Sequence, residues 1–176
     1  MSGMIIKGKV VKLGDYVNTD VISPARWMRE GLDVLRLHTM EAIRPDFYKD
    51  VQPGNIIVGG RNFGCGSHRE PATAIMKVLG ISAIVGDSVA RLYYRNCIAF
   101  GITVFTVDGI SQMIDEGEEM EITLGTDKVS FKNLTRGGEL SGVVTRIDLV
   151  NFWDDPFNQD FDEPAAADSA APVSKP

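Results

Sequence analysis

The chain has 176 residues, 44% hydrophobic and 24% charged, with a formal net charge of −6, which excludes wholesale disorder or a collagen-like repeat and suits one domain with an ordinary core. Six acids in residues 151–176 (Asp154, Asp155, Asp160, Asp162, Glu163, Asp168) against Lys175 account for −5 of that charge, so residues 1–150 are near neutral and lack the basic face a nucleic acid needs. Cys65, Cys97, His38 and His68 are too few for a disulfide scaffold or a self-contained four-cysteine cluster, and no window of about 18 apolar residues exists to span a membrane.

The N-terminus, MSGMIIKGKVVKLG, carries no signal-peptide pattern, so a cytoplasmic, reducing compartment is expected. Residues 4–13 are rich in Val and Ile and predict a first strand. The stretch GDYVNTDVISPARWMREG reads as a loop from its Gly, Asn-Thr-Asp and Ser-Pro signals. Residues 32–43 space their apolar side chains as a short helix ended by Pro45.

NIIVGG (55–60) predicts a buried strand that runs into a glycine-rich turn. A helix over 70–80 with Gly80 as its stop, a strand over 81–86, a helix over 88–101 capped by Gly101 and a strand over 102–107 follow. Alternation of this kind indicates crossover units and a largely parallel sheet. Beyond Gly109 the pattern changes to a helical turn at SQMIDEG, a hairpin about Thr126-Asp127, and a strand over 141–150. Residues 1–152 therefore read as one α/β domain with a β-rich finish, and 153–176 as an acidic, Ala- and Pro-rich tail with little to bury, expected to be disordered.

The turn after 55–60 reads NFGCGSHRE (62–70). Strand, glycine turn and helix collect backbone N–H groups where anions are favoured. Ser67 to Glu70 also fits the capping box S-x-x-E, with Pro71 in the first turn. The turn matches neither G-x-G-x-x-G nor the P-loop, which argues against a nucleotide loop. Cys65 is either a thiolate nucleophile or a small residue in a tight turn, and His68 either an anion donor or an exposed first-turn residue.

Arg69, placed against the helix dipole, carries an electrostatic cost unless it serves a ligand, and its planar fork suits a carboxylate or phosphate. Arg91 and Arg95 read as a solvated face. Arg29 is a second loop arginine. Two such arginines beside a serine suit a small di- or tricarboxylate.

Three segments carry a family resemblance: GKVVKLGDYVNTDVISP, with its D-x-x-x-T-D-x-I-x-P pattern, GNIIVGGRNFGCGSHRE, and KVLGISAIVGDSVARLYYRNCIAFGI. In order and spacing they resemble the small subunits of the aconitase-family hydro-lyases, the group of 3-isopropylmalate dehydratase and homoaconitase. The resemblance implies the swivelling β/β/α domain of that family. It implies a large-subunit partner that holds a [4Fe–4S] cluster by its own cysteines, so that Cys65 and Cys97 are not ligands. The implied reaction is stereospecific dehydration and rehydration of a hydroxy-carboxylic acid, with the cluster's open iron as Lewis acid.

Position by position, the resemblance makes Ser67 the catalytic base, as alkoxide, and Arg69 the arginine that binds substrate carboxylate and supports that serine. It makes Asp20 an active-site helper, Arg29 the arginine of the specificity loop, and Gly66 part of the backbone that substrate approaches. His68 stands where the family has a second serine, which removes a hydroxyl and adds a titratable donor. Trp27 and Met28, in WMRE (27–30), suit an apolar pocket, and Glu30 disfavours a third carboxylate. A branched malate, 3-isopropylmalate foremost, is the expected substrate; 2,3-dimethylmalate, a methylated malate, homoaconitate, or a non-catalytic binding domain of the same fold are the alternatives.

Overall fold

The computed structural model of the protein describes residues 4–67, 69–126 and 128–143. His68, the far half of the expected 141–150 strand and the acidic tail lie outside these residues. The described strands are β1 (Met4–Lys12), β2 (Ile56–Gly59), β3 (Ala83–Gly86), β4 (Val104–Thr106), β5 (Glu119–Leu124), β6 (Lys128–Asn133) and β7 (Glu139–Val143). They form one sheet in the order β4-β3-β2-β1-β5-β6-β7. β1 to β4 pair in parallel, whereas β5 joins β1 antiparallel and continues through β6 to β7. The parallel crossovers and the hairpin therefore meet on β1. This is the mixed α/β architecture of the swivelling β/β/α domain.

IIVG and AIVG are apolar throughout because all four residues of both β2 and β3 are buried, as strands covered on both faces must be. Their pleat feeds two cores. Val11, Ile57, Ile84 and Val104 point to one face, beneath α2 (Leu32–His38), α4 (Pro71–Val78) and α5 (Arg91–Ala99). Val10, Ile56, Val58, Val85 and Phe105 point to the other, joined by Ile110 of α6 (Ile110–Met113) and by Ile122 and Phe131 of the hairpin. Each such side chain contributes about 1.5–3 kcal/mol on burial. α4 and α5 end as expected, in left-handed Gly80 (φ +73°) and Gly101 (φ +67°), with Ile81 N–H reaching Met76 O and Ile102 N–H reaching Cys97 O.

Four local expectations are corrected. Residues 14–31 are not plain loop: they contain α1 (Thr19–Ile22) and a 3-10 segment, Ala25–Glu30. The Asn-Thr-Asp signal there is a helix cap, because Asn18 Oδ1 accepts from Asp20 N–H at 2.8 Å. α2 stops at His38, well short of Ile43, because Met40 is fully buried with φ +60° and its N–H bonds Val21 O. Packing against α1 overrides the helical pattern. A further turn, α3 (Phe47–Asp50), was not expected. Finally, the Ser67–Glu70 capping box does not form: α4 begins at Pro71 with Glu70 as its N-cap, and no side chain caps it.

Candidate active site

β1 and β2 are parallel neighbours, so the loops leaving their C-terminal ends emerge at the same edge, the usual place for a ligand on such a sheet. The two loops are joined along their length. Gly60 N–H bonds Gly14 O, Tyr16 N–H bonds Arg61 O at 2.7 Å, Gly64 N–H bonds Val17 O at 2.8 Å, and Thr19 N–H bonds Cys65 O at 2.8 Å. Thr19 Oγ1, almost wholly buried, then donates to Ser67 O at 2.9 Å. At the start of the seam Asp15 accepts from Arg61 N–H at 2.8 Å and from its guanidinium at 2.9 Å. The main-chain bond, then the side-chain bond, holds the Asp15 carboxyl below its usual range.

On the opposite side of the glycine turn, Asn62 N–H bonds Ser88 Oγ at 2.8 Å and Ala90 N–H bonds Phe63 O at 2.8 Å. Phe63 packs edge-on against Tyr93, centroids 5.7 Å apart. Two glycines are required by this fit. A Cβ on Gly64 (φ +74°) would lie 2.3 Å from the Tyr93 ring, and one on Gly66 (φ +93°) 2.6 Å from Asn18 Oδ1. The turn is thus held from both flanks, as far as the Ser67 carbonyl.

Those exit residues are exposed. Ser67 is tied by its carbonyl, while its hydroxyl has no hydrogen bond among the described residues. Asp20, also exposed, follows Thr19 directly and so sits one residue from the bond that ties the two loops. Arg69 precedes α4 and lies across the 3-10 segment, Nη1 3.8 Å from Met28 Sδ. Arg29 is exposed and pairs with no acid among the described residues. Trp27 is turned the other way: its ring stacks on His38 at 3.8 Å, and its Nε1 donates to Glu41 at 3.2 Å. Met28 faces Arg69, while the neighbouring Trp27 packs on His38 at the end of α2.

The structure therefore brings Ser67 next to the Asp20 loop and Arg69 next to the Arg29 segment. Cys65, half-buried, donates to Tyr16 O at 3.4 Å, and Cys97 is buried in α5 with its thiol pushed up by burial. No group of three or more His, Cys, Asp or Glu side chains converges to hold a metal among the described residues, so the donors described here do not fit a cluster held by this chain alone. Thr19, Asn18 and Asp15 were not singled out from sequence, although Asp15 and Thr19 stand in the D-x-x-x-T-D pattern. Glu41 was not singled out either: His38 stands three residues before it, but Arg26 and Trp27 meet it only after the chain reverses at Met40.

Comparison with known proteins places the fold and the family. The model of the aconitase C-terminal domain matches residues 36–108. The isopropylmalate/citramalate isomerase small subunit of Methanocaldococcus jannaschii is 47% identical over 139 residues, 78% of this chain and 82% of that protein. The 3-isopropylmalate dehydratase small subunit of Clostridium beijerinckii is 44% identical over 79% of this chain and 86% of its own length. The methanogen homoaconitase small subunit of Methanothermobacter thermautotrophicus is 46% identical over 77% of each chain. A crystal structure of 3-isopropylmalate dehydratase from Methanocaldococcus jannaschii superposes with a TM-score of 0.72 at 35% identity, covering 81% of this chain and 84% of the other. At that identity and coverage the chain belongs to the aconitase family, among the relatives of the 3-isopropylmalate dehydratase small subunits.

Proposed function

We propose that this chain is the small subunit of a two-chain hydro-lyase that isomerises a branched malate, 3-isopropylmalate first among candidates. The observation that carries the reading is the seam between the Asp20 and Ser67 loops, closed by the Thr19–Ser67 bond, which holds the exposed Ser67 two residues before Arg69, itself against Met28 of the Arg29 segment. In the reaction, Ser67 Oγ takes the proton from the carbon next to a substrate carboxylate. An alcohol is a poor base in water, so it needs a local cation to favour the alkoxide. Because α4 begins only at Pro71, the helix dipole, which acts within its first turn, falls short of Ser67. Arg69 therefore carries that task and binds one carboxylate through its fork. Arg29 binds the second carboxylate, and Asp20 orients these neighbours.

The large subunit, on this reading, would supply a [4Fe–4S] cluster, and with it Lewis-acid chemistry for loss of the substrate hydroxyl. The residues of this chain position the substrate and move the proton. A homoaconitate-type substrate is the second reading, since one relative bears that name. Glu30, exposed at the end of the 3-10 segment, weighs against it by repelling a third carboxylate.

The test is turnover by this chain assembled with its large subunit, the cluster reconstituted without oxygen, on 3-isopropylmalate, 2,3-dimethylmalate, citramalate, homocitrate and citrate. Turnover of branched malates alone supports the reading. Preference for homocitrate or citrate would overturn the Glu30 argument. Silence across the panel with an intact cluster and complex would favour a non-catalytic binding domain.

A further inference from the structure

The 3-10 segment 25–30 has little core of its own: none of its six residues is fully buried. A segment of that kind drifts unless something outside it fixes it. That fixture is one carboxylate. Glu41 Oε1 accepts from Arg26 Nη2 and, at 3.2 Å, from Trp27 Nε1, while Oε2 lies 2.7 Å from His38 Nδ1. His38 in turn stacks flat on Trp27, the rings 3.8 Å apart at 10°. The Arg26 guanidinium lies 5.4 Å from the Trp27 ring centroid. Three side chains from two elements converge on Glu41.

Glu41 reaches this place because the chain reverses at Met40, which is buried with φ +60° and tied by its N–H to Val21 O. A non-glycine residue in that conformation costs about 1–3 kcal/mol and persists only where its surroundings demand it. The next residue along from Trp27 is Met28, which meets Arg69. A chain of contacts and adjacent residues therefore runs from Glu41 through Trp27 to Met28 and the Arg69 guanidinium, with Arg29 next in sequence.

We propose that Glu41 is the positioning residue of the 25–30 segment and, resting on the function above, that it sets substrate selection by fixing Met28 and Arg29 relative to Arg69. Glu41 touches no substrate; it acts through Trp27 and Arg26. Loss of its carboxylate frees the segment, so the apolar branch of the substrate loses a fixed wall while Ser67, held by the other seam, keeps its place.

The experiment uses the assembled, cluster-loaded complex with Glu41→Ala and, as the gentler variant, Glu41→Gln. Expected for both is a rise of about tenfold in KM for the best branched malate with kcat within about twofold, since substrate positioning is lost and the base is not. Discrimination between the large-branched and the methyl-branched malate should collapse in parallel. Trp27 emission, read in a Trp153→Phe background, should shift to the red and become more open to acrylamide as the indole leaves His38 and Glu41. Unshifted emission in an active complex would overturn the clamp. Shifted emission with unchanged discrimination would overturn the selection role. An inactive wild-type complex would sink the functional reading instead, a failure seen without any Glu41 variant.

Discussion

Thr19 Oγ1 donates to the carbonyl of Ser67 at 2.9 Å, across 48 residues of chain, from a side chain that is 1% exposed. This bond closes the seam between the two loops that carry Asp20 and the serine. Thr19→Val keeps the shape and removes the hydroxyl, leaving the Ser67 carbonyl without that partner, so we expect a loss of about 1–2 kcal/mol in thermal unfolding. Turnover should fall with it, because Ser67 is no longer held. Thr19→Ser should retain most of both; equal damage from the two variants would mean that packing, and not the hydroxyl, matters here.

Ser67→Ala should reduce kcat by about 10²–10⁴-fold, the range for removing a proton-transfer group, with unfolding temperature and large-subunit binding unchanged. Cys65→Ala should alter stability by under about 0.5 kcal/mol and leave turnover largely intact. The reverse pattern in steady-state kinetics would make the thiol the reacting group.

Gly64→Ala should be the most damaging single change in the turn. Its φ is +74° and the new methyl would lie 2.3 Å from the Tyr93 ring, in the packed core under α4. A destabilisation of about 2–4 kcal/mol is expected from strain and overpacking together. Gly66→Ala carries similar backbone strain (φ +93°) but meets the end of the Asn18 side chain, at 2.6 Å, and not a core ring, so it should cost less stability than Gly64→Ala while still lowering turnover. Chemical denaturation of the two variants alongside their kinetics separates these outcomes.

The hydrogen bond from His38, then those from Arg26 and Trp27, holds the Glu41 carboxyl below its usual range. A group depressed in the folded state contributes stability that is complete above its unfolded value and is lost as pH falls through its folded value. Acid titration should therefore release Trp27 below the ordinary glutamate range, seen as red-shifted emission in the Trp153→Phe background. Glu41→Gln should abolish that transition. A transition unchanged in Glu41→Gln would assign it to another carboxyl.

Much of the frame was legible because it is written in short-range patterns. IIVG and AIVG are apolar runs bounded by glycines, and Gly80 and Gly101 take the left-handed positions that end α4 and α5. The hairpin alternation of Glu119–Leu124 and Lys128–Asn133 was equally plain. The capping box misled because S-x-x-E describes what Ser67 and Glu70 are able to do locally. Thr19 competes for the Ser67 carbonyl, and α4 starts four residues later. The end of α2 misled in the same way, since Val21 and the core claim Met40.

By itself, the sequence determined the parallel strands, the glycine turn, and the residues at its exit, Ser67 and Arg69, since each follows from spacing or backbone freedom within about ten residues. Only the tertiary structure decided what those residues stand beside. The seam from Asp15–Arg61 to Thr19–Ser67 joins positions more than 40 apart, and Glu41 reaches Arg26 and Trp27 only because the chain reverses at a buried methionine. Such pairings depend on strand order and core packing, which no local window contains.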